Sequence, residues 1–253
     1  MLLVSDVHGA FDALKKVADG GETLVILGDL INLLDYRTTQ GIIADVLGKE
    51  FGEAVAGHRA AGDYGAMRQA WTDIVGGRRA EVREAIDQGV ASEYKQCKEA
   101  LVNATGFCTY GNVDNPRLLA ESLPPSMRFV DGDVVEIDGL SFGFVGGGIA
   151  TPLGAAGEVT DDEMEVKLAK IGKVDVLCSH LPPSLDPLCT DVITGRRERS
   201  SRPILEYLRA HQPLHHFFGD VHQPQALTWR VGKTRCQNVG YFRATQRAVE
   251  FTW

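Results

Sequence analysis

The sequence predicts an α/β protein, and three observations carry that reading. Short apolar runs that stop at Asp, Asn, Gly or His recur along the chain, and the first two are separated by a stretch of helical periodicity. Charged residues collect where the runs stop, and ligand sites of open α/β sheets lie at the carboxyl ends of their strands. The 253 residues are 44% hydrophobic and 24% charged, enough for one large domain or two small ones, which excludes disordered, collagenous and repeat classes.

The runs at residues 2–5, 23–27, 107–110, 141–145, 174–179 and 215–218 read as buried strands. Between the first two, Phe11, Leu14 and Val17 fall at helical spacing before Gly20 and Gly21, giving a βαβ opening. From about residue 36 to residue 104 the strand signal vanishes and three amphipathic helices take its place. The first carries Ile42, Ile43, Val46, Leu47 and Phe51; the second Met67, Trp71 and Ile74 after an Asp63 cap; the third Val82, Ile86, Val90, Cys97 and Leu101. A parallel crossover needs only a dozen or so residues, so this stretch is a helical excursion. It reads first as an enlarged helical layer on one sheet face, with a cap over the site or a homo-oligomer surface as the alternatives.

In the last third, residues 134–137 and 140–145 predict a hairpin across Asp138 and Gly139. Residues 226–231, 234–239 and 248–253 predict closing antiparallel strands of a second sheet packed on the first. With no repeat and no linker, residues 1–253 are read as a single domain.

Lys and Arg number 26 against 34 Asp and Glu, a net charge of −8, which argues against nucleic acid or an anionic membrane as partner. An anionic substrate would need a local positive centre. The five cysteines form no CxxC pair and mostly sit within apolar runs, as reduced thiols of a cytoplasmic protein do, and no stretch has the length of a signal-peptide core or a membrane span.

Five strand ends carry metal-ligand residue types: Asp6-Val7-His8, Gly28-Asp29, Gly111-Asn112-Val113-Asp114, Ser179-His180 and Gly219-Asp220-Val221-His222. Alone, each is an ordinary turn or cap. In extended chain, residues two apart point the same way, so Asp6 and His8 could grip one cation, and Asp220 and His222 repeat the spacing. Oxygen and nitrogen donors without thiolate favour Mn²⁺, Fe or Zn²⁺ over Cu(I) or an iron–sulfur cluster.

In this order, across residues 6 to 222, the five strings resemble the calcineurin-like metallophosphoesterase superfamily. The resemblance implies a four-layered α/β/β/α sandwich of two mixed sheets and a site for two divalent cations, with Mn favoured among Mn, Fe and Zn. Carried over by position, Asp6, His8 and His222 would bind one cation, Asn112 and His180 the other, and Asp29 would bridge them. Asp29, Asn112 and His222 would also act in catalysis. The implied reaction is in-line hydrolysis of a small phosphate ester by hydroxide from a water shared by the two cations.

Three departures from the family pattern matter. Asp220 replaces a His and is kept as a candidate ligand; Val113 stands where many members have the His that protonates the leaving group; and Asn32 replaces the Asp that orients that His. Leu33 replaces an Arg of protein phosphatases, so protein phosphatase activity is disfavoured. Phosphodiesters are favoured because they carry one charge fewer than monoesters and depend less on an arginine clamp. A phosphomonoesterase or nucleotidase and a metal-stabilised scaffold without turnover are the alternatives.

Other features read more plainly. Gly146, Gly147 and Gly148 form a tight loop before a phosphate cradle, and Arg196, Arg197 and Arg199 a solvated helix start before a substrate clamp. At most one of His215 and His216 could face the cations; the simpler reading is an interior hydrogen-bonded His. His58 and His211 read as surface residues, and Trp71, Trp229 and Trp253 as packing residues. No Gly-x-Ser-x-Gly elbow supports a serine hydrolase.

Overall fold

The computed structural model describes residues 1–151 and 155–253. Its elements run, in chain order, β1 (Leu2–Val4), α1 (Phe11–Ala18), β2 (Thr23–Ile26), α2 (Ile42–Leu47), α3 (Lys49–Ala61), α4 (Tyr64–Val75), α5 (Arg79–Ala100), β3 (Thr105–Cys108), α6 (Pro116–Ser122) and β4 (Met127–Phe129). There follow β5 (Asp133–Ile137), β6 (Leu140–Val145), β7 (Gly148–Ile149), β8 (Glu158–Val159), α7 (Asp161–Ile171), β9 (Val176–Ser179) and α8 (Asp186–Cys189). The chain closes with α9 (Arg202–His211), β10 (His215–Phe218), β11 (Thr228–Val231), β12 (Thr234–Asn238), α10 (Phe242–Thr245) and β13 (Val249–Glu250).

Two mixed sheets organise these elements. The first has the order β13-β1-β2-β3-β4, with β1 to β4 parallel and β13 antiparallel on the edge. The second has the order β11-β12-β10-β9-β6-β5, where β12, β10, β9 and β6 are parallel and β11 and β5 are antiparallel edges. Because side chains alternate along a strand, each sheet splits its apolar residues between two faces. Leu3, Val25 and Leu27 of the first sheet share one core with Phe142, Phe144, Val176, Cys178 and Phe217 of the second, which seals the sheets face to face. On the second sheet's other face Val145, Leu177, Phe218 and Cys236 pack with Met164 and Leu168 of α7 and with Ile204, Tyr207 and Leu208 of α9. The chain is thus the predicted α/β sandwich of two mixed sheets.

Helix ends follow local chemistry. Thr160 and Glu163 form a reciprocal capping box that starts α7, Ser201 caps α9 through Ile204 N–H, and Asp63 caps α4 through Ala66 N–H, as the sequence indicated.

The chain divides into two compact units, residues 1–30 with 97–253, and residues 31–96. The smaller unit has a core of its own, in which Phe51, Val55 and Met67 are buried against Leu34, Tyr36, Leu47 and Trp71. The first helix expected there is two, α2 and α3. They part at Gly48, whose φ of 94° is left-handed backbone that a glycine adopts without penalty.

The closing strands also depart from expectation. β12 runs parallel to β10, and β13 joins the first sheet beside β1 instead of the second. Period-2 patterning identifies strands without saying which neighbour they will choose. Among the described residues no helix is long and apolar enough to cross a membrane.

Candidate metal centre

Parallel strands bring their carboxyl ends to one side, and the five motifs sit on the turns that leave β1, β2, β3, β9 and β10. Asp6, His8, Asp29 and Asp220 all have positive φ, of 57°, 42°, 55° and 65°. Left-handed backbone is uncommon outside glycine, and its concentration at these positions is strain of the kind that gathers at functional sites. The strain is held in place by backbone bonds between loops: Asp6 N–H donates to Gly28 O at 3.1 Å and His8 N–H to Asp29 O at 2.9 Å.

The side chains converge in two groups. In one, Asp6 Oδ1 lies 3.4 Å from His222 Nε2 and 3.9 Å from His8 Nε2. In the other, His180 Nε2 lies 3.3 Å from Asn112 Oδ1, 3.5 Å from Asp29 Oδ2 and 3.6 Å from Asp220 Oδ1. Asp29 Oδ2 also stands 3.6 Å from His8 Nε2, so one oxygen faces both groups. All seven residues singled out in the sequence are therefore in one cluster.

The route to that cluster differs from the extended-chain argument. The positive φ values turn the backbone out of the extended form at Asp6 and at Asp220; Asp6 and His8 still fall in one group, as expected, but the second pair does not. Asp220 and His222 part company, Asp220 toward His180 and His222 toward Asp6.

The donor set fits a cation. His180 donates Nδ1–H to Leu27 O at 2.9 Å, so Nε2 is the nitrogen that faces three oxygens. Three oxygens at 3.3–3.6 Å from this nitrogen call for a positive charge among them, a proton on Nε2 or a cation in its place. Asp6 Oδ1 is buried and, among the described residues, has no hydrogen-bond partner. Separations of about 3–3.5 Å between donor atoms are what bonds of about 2.1 Å to a shared ion require. Asp6 with His8 and His222, and Asp6 with Asp29 and His180, are each grouped closely enough to hold an ion.

Electrostatics agree. Burial would raise the Asp6 and Asp29 carboxyls, yet His222 beside Asp6, and His180 and His8 beside Asp29, hold both below the ordinary carboxylate range. Burial would lower His180, yet the Asp29 charge and then the Asp220 contact push it well above an ordinary imidazole. The site draws positive charge to itself.

Residues outside the expected ligand set support the cluster. Asp114 is 1% exposed and accepts three backbone N–H groups, from Asp29 at 2.8 Å, Leu30 at 3.1 Å and Gly111 at 2.9 Å. Burial and the adjacent Asp29 charge push its carboxyl up to about 7 against the pull of those donors. Asn238 donates to Val221 O at 2.9 Å and accepts from Gly240 N–H at 2.7 Å, fixing the turn that carries Asp220 and His222. Asp114 lay in view inside its motif; Asn238 sits in an unremarkable strand end and had no signal.

The remaining candidates take ordinary places. The N–H groups of Gly146, Gly147 and Gly148 donate to Asp131, Tyr110 and Gly157, so the loop is no phosphate cradle. A Cβ on Gly148 would stand 2.1 Å from Asn112 Cβ, and that close approach is what the glycine permits. His216 is buried and bonded to Ser179 Oγ at 2.8 Å, and His215 stacks on Phe217 and meets Phe251, so neither joins the cluster. Arg197 pairs with Asp186 and Ser184, and His211 is exposed beside Tyr207. Trp253 meets Phe251 and Phe142, but Trp229 lies 46% exposed on edge strand β11 and is not a packing residue. All five cysteines are free and buried.

No family model matches the chain, and no curated protein matches it. Solved structures do resemble it over nearly its whole length. One has a TM-score of 0.61 at 14% identity, covering 95% of this chain and 90% of its own. Another is TT1561 of Thermus thermophilus, with a TM-score of 0.54 at 12% identity, covering 98% of this chain and 96% of its own. At these identities the likeness establishes a shared fold, in which buried Asp and His groups of this chain stand positioned to hold a metal ion.

Proposed function

We propose that this protein is a metal-dependent phosphoric ester hydrolase of the calcineurin-like type, with phosphodiesters favoured over phosphomonoesters. The observation that carries the reading is Asp29 Oδ2, 3.6 Å from His8 Nε2 and 3.5 Å from His180 Nε2, a single carboxylate oxygen between two donor groups. Two divalent cations, Mn²⁺ favoured over Fe and Zn²⁺, would supply acidification of a water and neutralisation of the phosphoryl oxygens.

The chain's own residues hold and aim that chemistry. Asp6, His8 and His222 would hold one cation, Asn112, His180 and Asp220 the other, and Asp29 both. His180 is locked in the tautomer that presents Nε2 by its bond to Leu27 O, and Asp29 is aimed by Val113 N–H at 3.1 Å on Oδ1 and by Asp114 on its backbone. Val113 has no proton to give, so a substrate with an acidic leaving alcohol, or one protonated from solvent, is the expected match. His8 and His222 are partly exposed, which leaves their side of the cluster open to a small phosphate ester.

The test is hydrolysis of bis-p-nitrophenyl phosphate and p-nitrophenyl phosphate side by side, by protein stripped with chelator and reloaded with Mn²⁺. Metal-dependent cleavage, faster for the diester, is expected. Preference for the monoester would make the protein a phosphatase, and no metal-dependent turnover of either would leave a scaffold.

A further inference from the structure

We propose that Tyr241 is a positioning residue for the Asp6, His8 and His222 half of the metal centre, acting as a flat plate that aims the His222 imidazole. This rests on the reading of the cluster as a metal centre. The two rings lie 3.8 Å apart between centroids with planes 2° from parallel, and Tyr241 also meets the His8 ring edge-on at 5.9 Å. His8 and His222 meet each other edge-on at 5.3 Å, so the three rings pack as one unit.

The two histidine environments differ in how they are oriented. A ligating imidazole is ordinarily fixed by a hydrogen bond on its second nitrogen, and His180 has that bond, to Leu27 O. Among the described residues no hydrogen bond holds His222 Nδ1. Stacking takes over that office, because rotating the ring away from Asp6 Oδ1 would break the parallel contact. A cation on Nε2 withdraws electrons from the imidazole, so contact with the electron-rich phenol face strengthens when the ion is bound.

Tyr241 is itself held rigidly. Phe242 N–H donates to Ser5 O at 3.1 Å, Arg243 N–H to Asp6 O at 3.0 Å, and Arg243 Nη1 to His8 O at 2.8 Å. On the other side Gly240 is bonded to Asn238, which holds Val221 O. The segment 240–243 therefore ties the loop of Asp6 and His8 to the loop of His222.

The experiment uses the full chain, stripped with chelator, in wild-type form and as Tyr241→Leu and Tyr241→Phe. Leucine keeps apolar bulk without a π face, and phenylalanine keeps the face. Calorimetric titration with Mn²⁺ is expected to show two binding steps in the wild type, with one weakened about 10–100-fold in Tyr241→Leu and the other unmoved, while Tyr241→Phe restores both. In the metal-free protein the His222 imidazole protons are expected upfield in the NMR spectrum from the ring current, a shift lost in Tyr241→Leu and kept in Tyr241→Phe. Equal weakening of both steps, no weakening of either, a Phe variant as impaired as the Leu variant, or no upfield shift in the wild type would overturn the inference and leave the metal centre standing. A wild type that binds no Mn²⁺ would overturn the metal centre and this inference together.

Discussion

Asp114 accepts the backbone N–H of Asp29 at 2.8 Å on the same carboxylate oxygen that accepts the N–H of Gly111 at 2.9 Å. One buried side chain thereby joins the turn after β2 to the turn after β3, and with them Asp29 and Asn112. An amide nitrogen cannot accept these bonds, so Asp114→Asn strands at least one buried donor. A loss of about 1–3 kcal/mol is expected in urea denaturation. Stability within about 0.5 kcal/mol of the wild type would mean that the three bonds do not carry the loop.

The shared oxygen of Asp29 predicts that Asp29→Asn removes cation binding while the chain still folds, since Asn keeps an oxygen for Val113 N–H. Saturating Mn²⁺ is expected to raise the thermal midpoint of the wild type, by about 2.7 kcal/mol of stability at 100 times the dissociation constant. In Asp29→Asn that metal-induced rise should vanish, along with turnover of both p-nitrophenyl esters. A variant stabilised by Mn²⁺ as much as the wild type would exclude Asp29 as a shared ligand.

The contact of Gly148 with Asn112 predicts that Gly148→Ala destabilises the protein by about 1–3 kcal/mol, through a Cβ placed where Asn112 Cβ already stands. Gly77→Ala, where an added Cβ meets nothing within 4 Å, is the control and should change stability little. The displaced Asn112 should also weaken Mn²⁺ binding in the Gly148 variant, which calorimetry can detect.

His216 predicts an acid sensitivity. Ser179 gives its only hydroxyl proton to Leu181 O at 2.7 Å, so His216 Nε2 must donate to Ser179, and the buried ring is neutral. Burial depresses its pKa from 6.5 to about 3. Between those values the unfolded chain binds a proton that the folded chain refuses, so stability falls as the pH drops from 6.5 toward 3, by roughly 5 kcal/mol for this group. His216→Gln, which can still donate to Ser179, should flatten this part of a chemical-denaturation profile against pH. An unchanged slope would place the acid sensitivity elsewhere.

Much of this molecule was legible from its residues one segment at a time. The run at His215–Phe218 is a strand with the bounds that its apolar composition suggested, and the Asp63 cap starts α4. Strands β1, β2, β6, β9 and β10 were visible as apolar runs because both of their faces are largely buried. The short β4, Met127–Phe129, gave no signal, since three residues following two prolines show no periodicity. The seven candidates could be named because five strand-end strings, in order, resemble the calcineurin-like superfamily pattern, and parallel topology brings such strand ends to one edge.

What the residues by themselves determined is the run of buried strands, the helical excursion and the oxygen and nitrogen donor types at strand ends, all set by local composition and period. What only the tertiary structure decided is the division of labour among those residues. That Asp220 turns to His180 while His222 turns to Asp6 depends on left-handed backbone held by bonds between loops. That Tyr241 lies flat on His222, and that Asp114 clamps Asp29 from 85 residues away, depend on contacts between distant segments. A side chain's direction at a strand end is fixed by what packs and hydrogen-bonds around it, and that exists only once the sheets have closed on each other.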